Sequence, residues 1–229
     1  MNPPKIKPRK RPFDTWIIDD IELVFGLERI DEMPALNDWL AAPIHVSERE
    51  REQLLLLQQY LRKNVEAWNE DELKFYFLGP LMLLAQLEEK LFKPFLQRPL
   101  HAVIHDIELS GKVDFMLATG KTVPRQPYFF FHEYKRKRGR NNDPLGQLLA
   151  EMIAAQTLNP PSQILYGCYI LGEDWYFVVL QEKNYAVSLA FDASKQDIFQ
   201  IVAVLRQVKV YIANIIAQVP ALPASIQKI

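Results

Sequence analysis

The segment PYFFFHEYKRKRGRNNDPLGQLLAEMIAAQ, residues 127–156, decides how the chain is read. Its composition predicts one strand, one basic turn and one helix. The strand is apolar except where it carries Glu133 and Lys135. Side chains two apart on a strand point the same way, so a carboxylate and an ammonium project together from a run that otherwise calls for burial. Burying both is unfavourable unless they pair or serve chemistry. After the turn, Asp143-Pro144 opens the helix, with proline at its first position, and Asn159-Pro160-Pro161 stops it.

Working outward, LHAVIHDIELSGKVDFMLATG at residues 100–120 predicts a hairpin turning at Ser110-Gly111. Its second strand would set Lys112, Asp114 and Met116 on one face. Beyond the helix, QILYGCYILG, DWYFVVLQE and YAVSLAF predict three strands, and residues 194–218 a long amphipathic helix. Ahead of the hairpin the period is helical. Asp14 is read as the cap of TWIIDDIELVFGL, Ser47 as the cap of a helix with Glu50 in a capping box, and Asn69 as the cap of NEDELKFYF. Gly79-Pro80 should bend or interrupt that last helix, which continues over residues 81–91. The order predicts a mixed α/β domain: a central mixed sheet flanked by helices, a helical N-terminal extension and a long C-terminal helix. The chain divides into a basic Pro-rich tail at 1–12 with neither helix nor strand, helices at 13–68, the main domain at 69–218 and a short tail at 219–229.

The chain has 229 residues, 49% hydrophobic and 24% charged, enough for a sizeable core. A net charge of −1 gives no global pull toward nucleic acid or membrane, so any such pull must be local. One cysteine, Cys168, excludes an internal disulfide and a multi-cysteine zinc site. No apolar run is read as a membrane span and no secretory signal is recognised, so a cytoplasmic protein is expected. Leu54 and Leu57, or the C-terminal helix, would suit a homodimer contact.

The chemistry concentrates on adjacent strands. Asp114 and Glu133 can come within a few ångström of one another, where two carboxylates repel unless a proton or a cation lies between them. Mg²⁺, or Mn²⁺ in its place, prefers oxygen ligands and would fit there, with the Tyr134 carbonyl as a further ligand. Lys135 could position or activate a metal-bound water and stabilise developing phosphate charge. Lys135 is followed by Arg136, Lys137, Arg138 and Arg140, five cations in six positions, a cluster suited to a phosphodiester backbone.

Taken in order, GKVDF, HEYKRKRG and DPLGQLLAEM resemble the PD-(D/E)xK nuclease superfamily, the restriction-endonuclease-like fold. The resemblance covers roughly residues 69–182, with Val113 where a proline often stands. It implies an acid on one core strand (Asp114), E-x-K on the next (Glu133, Lys135), a helical glutamine (Gln147) and a glutamate on the first core helix (Glu72, with Glu70 and Asp71 also near). It implies Mg²⁺-dependent hydrolysis of DNA phosphodiesters, or a non-catalytic module of the same fold that binds nucleic acid or a protein. Asp106 and Glu108 are rival acids for the position of Asp114. Singly, each of these residues also has an ordinary structural reading: an ion pair, a solvated acid, an exposed glutamine or a helix-terminal glutamate. His45, His101, His105 and His132 are read as structural, and Trp175, Tyr176 and Phe177 as sheet core.

Overall fold

The computed structural model describes residues 8–135 and 143–218. One mixed sheet of nine strands is built around the hairpin of β3 (Lys93–Ile104) and β4 (Ile107–Thr119). On the other side of β4 lie two partners in succession. β1 (Arg9–Pro12) pairs parallel with residues 107–110, and β5 (Arg125–Lys135) pairs antiparallel from Phe115↔His132 onward. The sheet continues through β6 (Leu165–Leu171), β7 (Asp174–Gln181) and β8 (Asn184–Val187) to β2 (Glu28–Arg29), with β9 (Phe191–Asp192) on β7. The predicted mixed sheet flanked by helices, ending in the long helix α7 (Asp197–Gln218), is the observed architecture.

The two faces are covered differently. Over one lie α6 (Pro144–Leu158), α1 (Ile18–Phe25) and a 3₁₀ turn at Phe13–Thr15, closing a core with Met116, Ala118, Val178 and Leu180. Over the other lie α2 (Pro34–Leu40), α3 (Glu48–Asn64), the short α4 (Glu70–Leu73), α5 (Gly79–Ala85) and α7, closing a core with Phe115, Leu117, Trp175 and Phe177. The strands serve both cores because their side chains alternate. Leu54 is spent inside this second covering, whereas Leu56 is 67% exposed.

Several elements differ from their sequence reading. The hairpin turns at His105-Asp106, where His105 takes a left-handed φ of 56°, and not at Ser110-Gly111, which lies inside β4. Gly111 answers a packing need instead: a Cβ there would stand 2.7 Å from the Phe13 ring. Residues 9–12 of the Pro-rich tail form a strand despite the prolines. Pro12 falls at its end, and Arg11 is fixed by an ion pair to Asp20 and by its stacking 3.6 Å over Trp16. The first helix begins at Ile18, after the 3₁₀ turn, so Asp14 is not its cap. The rod through Gly79-Pro80 runs on because residues Lys74–Leu78 form one π turn, which sets Pro80 in the first turn of α5. It stops at Ala85, earlier than expected, with Gln86 left-handed at φ 54°. The helix Asp197–Ala217 is long and apolar enough to cross a membrane by length and composition, contrary to the sequence reading. Here Ile198, Val202, Leu205 and Val208 are buried in the core.

The capping box of Ser47 with Glu50 forms as expected, and Asn69 caps its helix as expected, in a capping box that takes up Glu72. Asp143 does more than cap α6. One carboxylate oxygen accepts the Leu145 and Gly146 amides and the other accepts the Ile18 amide at 2.7 Å, so one side chain holds the N-termini of two helices.

Candidate functional site

The site begins where β4 loses one neighbour and gains another. β1 ends opposite Ser110, and β5 joins at Phe115. Asp114 lies in that gap. Continued by one step, the β4–β5 register would set Asp114 opposite Glu133. Opposite it on β3 is Gln97, in a left-handed conformation with φ 52° and omitted from the otherwise continuous ladder. The irregularity breaks the strand's alternation. Val113 belongs to the core under α6, while Phe115 belongs to the other core. Asp114 therefore does not share a face with Met116, as simple alternation predicts. It lies beside Phe115 and Tyr134.

Asp114 lines a cavity of about 960 Å³ between the rod formed by α4, the π turn and α5 and the strands β3–β5. Its carboxylate, 11% exposed, meets Lys74, whose Nζ lies 3.0 Å from Oδ1 and 2.6 Å from Glu70 Oε1. Gln97 Nε2 donates to the same Oδ1. Asp114 Oδ2 is buried and accepts no hydrogen bond from the described residues. Burial pulls the Lys74 pKa down, but the hydrogen bond to Glu70 and the charge of Asp114 outweigh it and hold the ammonium above its ordinary range. The ammonium also lies 5.4 Å from the centre of the Tyr134 ring. Lys74 thus supplies the cation that a buried carboxylate requires.

Behind this floor, His132 and Tyr134 of β5 form a buried pair, His132 Nδ1 lying 3.0 Å from the Tyr134 hydroxyl. His132 stacks on Phe115 at 4.7 Å, and its complete burial drives its pKa well below the usual histidine range. This neutral ring is structural, as expected from sequence.

The other predicted site residues are distributed as follows. The side chains of Glu133 and Lys135 are not among those described, and Arg136, Lys137, Arg138 and Arg140 lie outside the described residues. Glu72 closes its own capping box by accepting the Asn69 amide at 2.7 Å, whereas Glu70 reaches Lys74 and Asp71 lines the cavity. Gln147 lies on α6, against the opposite core, and donates at 3.3 Å to the fully buried Glu151. It does not line the cavity, and neither do Asp106 and Glu108. The structure therefore joins Asp114 to Glu70, Lys74 and Gln97, and leaves Gln147 and Glu72 apart from it.

Sequence reasoning passed over Lys74, Gln97 and Glu151. The Glu70–Lys74 spacing of four was a visible signal of a helical ion pair. Nothing local tied Lys74 to an acid forty residues on.

Among the described residues no group of three His, Cys, Asp or Glu side chains could hold a metal. The donor that fits a hard cation is Asp114, through its buried and partnerless Oδ2. Comparison with protein-family models finds no match, and comparison with curated protein sequences finds none either.

Proposed function

We propose that this chain is a metal-dependent nuclease-like protein of the PD-(D/E)xK type, acting on DNA phosphodiesters. The observation that carries the reading is Asp114: an acid on the second hairpin strand, with a buried oxygen that accepts no hydrogen bond from the described residues. Asp114 would hold Mg²⁺ or Mn²⁺ from the Tyr134 face of the sheet; Glu133 and the Tyr134 carbonyl are assigned as further ligands from the motif alone. Bound there, the metal supplies Lewis-acid stabilisation of phosphate charge. Lys135 assists the water nucleophile. Arg136, Lys137, Arg138 and Arg140 follow it in sequence and would meet the DNA backbone. Gln147 is assigned a positioning role through Glu151, its buried partner on α6. The helical acid of the motif is assigned to Glu70 or Asp71 in preference to Glu72, because Glu72 is committed to its cap.

The test is Mg²⁺-dependent cleavage of supercoiled plasmid and branched DNA by wild type, Asp114→Asn and Lys135→Ala. The expected result is loss of at least about 100-fold in both variants. Equal activity in all three sinks the assignment.

A second reading, a non-catalytic module of the same fold, is favoured by Lys74, whose ammonium already neutralises Asp114. Titration calorimetry separates the two. Absence of Mg²⁺ and Mn²⁺ binding together with steeply salt-dependent DNA affinity favours the module.

A further inference from the structure

The cavity beside Asp114 has features that phosphodiester chemistry does not use. Its walls are apolar: Phe75, Leu78, Met82, Leu83, Leu87 and Leu96. Three of these are exposed at the cavity rim, at 76% (Phe75), 80% (Leu83) and 62% (Leu96), and apolar surface gathered at a concave site marks ligand-binding grooves. Its size falls within the range of small-molecule sites, roughly 300–1,000 Å³, where apolar walls surround a few convergent polar groups.

The backbone around it is unusual at three places. The π turn contributes Lys74, Phe75 and Leu78, and single π turns recur at functional sites. Gln86 and Gln97, two of the described non-glycine residues with left-handed φ, both line the cavity. Such conformations persist only where the surroundings impose them, and they gather at ligand sites.

Charge selects the ligand. Among the described residues the charged side chains lining the cavity are Asp71, Glu88 and Asp114 against Lys74, three carboxylates to one ammonium. The Lys74 charge is already divided between Glu70 and one oxygen of Asp114. What remains is Asp114 Oδ2, a buried acceptor with no donor among the described residues.

We propose that this cavity binds an amphiphilic cation, an alkyl or aryl body bearing one protonated amine, with the apolar part against the α5 wall and the ammonium on Asp114. The site shares Asp114 with the nuclease reading but does not rest on it, because neither Glu133, Lys135 nor a metal takes part.

The experiment is titration calorimetry of the full chain in EDTA, with n-octylammonium, n-octanoate and 1-octanol as probes below their micelle concentrations. Octylammonium should bind one site per chain, at least tenfold tighter than octanoate. Asp114→Asn should weaken octylammonium about tenfold and leave octanol unchanged, the effect expected of one lost charged hydrogen bond. Leu96→Arg, at an exposed rim position that tolerates the change, should reverse the preference toward octanoate. Octanoate binding as tightly as the amine, or an unchanged preference in Leu96→Arg, overturns the proposal whether or not Asp114→Asn folds. Working in EDTA keeps this outcome separate from loss of metal-dependent cleavage.

Discussion

The two faces of the sheet are built from similarly apolar helices, yet one is sealed and the other is open. Helix α6 is buried over ten consecutive residues from Gly146 to Ala155, because the sheet lies under it and α1 with the 3₁₀ turn lies over it. A helix apolar all round requires such a sandwich. The rod through α4, the π turn and α5 packs on α3 and α7, but Phe75 and Leu83 stay outside. Polar groups follow the same division. Under α6, Gln147 and Glu151 are enclosed in protein. Under the rod, Lys74 and Asp114 form the floor of a cavity. A helix enclosed on all sides can only stabilise, whereas a rod with an uncovered side has surface left to bind with.

If that contrast is right, substitutions on the two faces differ in scale. Leu149→Ala in α6, at a fully buried site, should cost about 2–5 kcal/mol by urea denaturation. A loss under 1 kcal/mol would show that the sealed face is loosely packed. Gly146→Ala should cost about 1–3 kcal/mol, because its Cβ would fall 2.8 Å from the Ile17 backbone and the Trp16 carbonyl, neither of which can turn aside. A neutral result would break the claim that α1 is clamped on α6.

A third measurement probes the layer behind the cavity floor. The folded-state pKa of His132 is lowered by burial, so the unfolded chain takes up a proton first as pH falls. The associated stability is fully present above the unfolded value of about 6.5 and should decline by about 1.4 kcal/mol per pH unit below it. Comparing the urea midpoints of wild type and His132→Phe between pH 5 and 8 isolates this slope. Equal slopes would mean that water reaches the ring. The smallest effect is expected on the open face: Leu83→Ala should change stability by no more than about 0.5 kcal/mol. A cost like that of Leu149→Ala would mean that Leu83 is covered in solution.

Much of the architecture was legible in local patterning. The caps at Ser47, Asn69 and Asp143, the order of strands around α6 and the final helix follow from short-range chemistry, which acts the same way wherever the segment is placed. Ser110-Gly111 misled because glycine serves turns and close packing alike, and only the position of the Phe13 ring distinguishes them. The face of Asp114 misled because period-two alternation assumes a regular ladder, and Gln97 breaks it.

By itself, then, the sequence determined most of the strands and helices and the caps of several helices, and it singled out Asp114 as an acid in an otherwise apolar hairpin strand. Only the tertiary structure decided that Asp114 meets Lys74 and Gln97, that Gln147 belongs to the opposite core, and that an apolar cavity opens beside them. Local pattern reports the period of a segment and the chemistry of its ends. Which side chain neutralises a buried carboxylate depends on elements tens of residues apart, and their approach is set by the packing of whole layers.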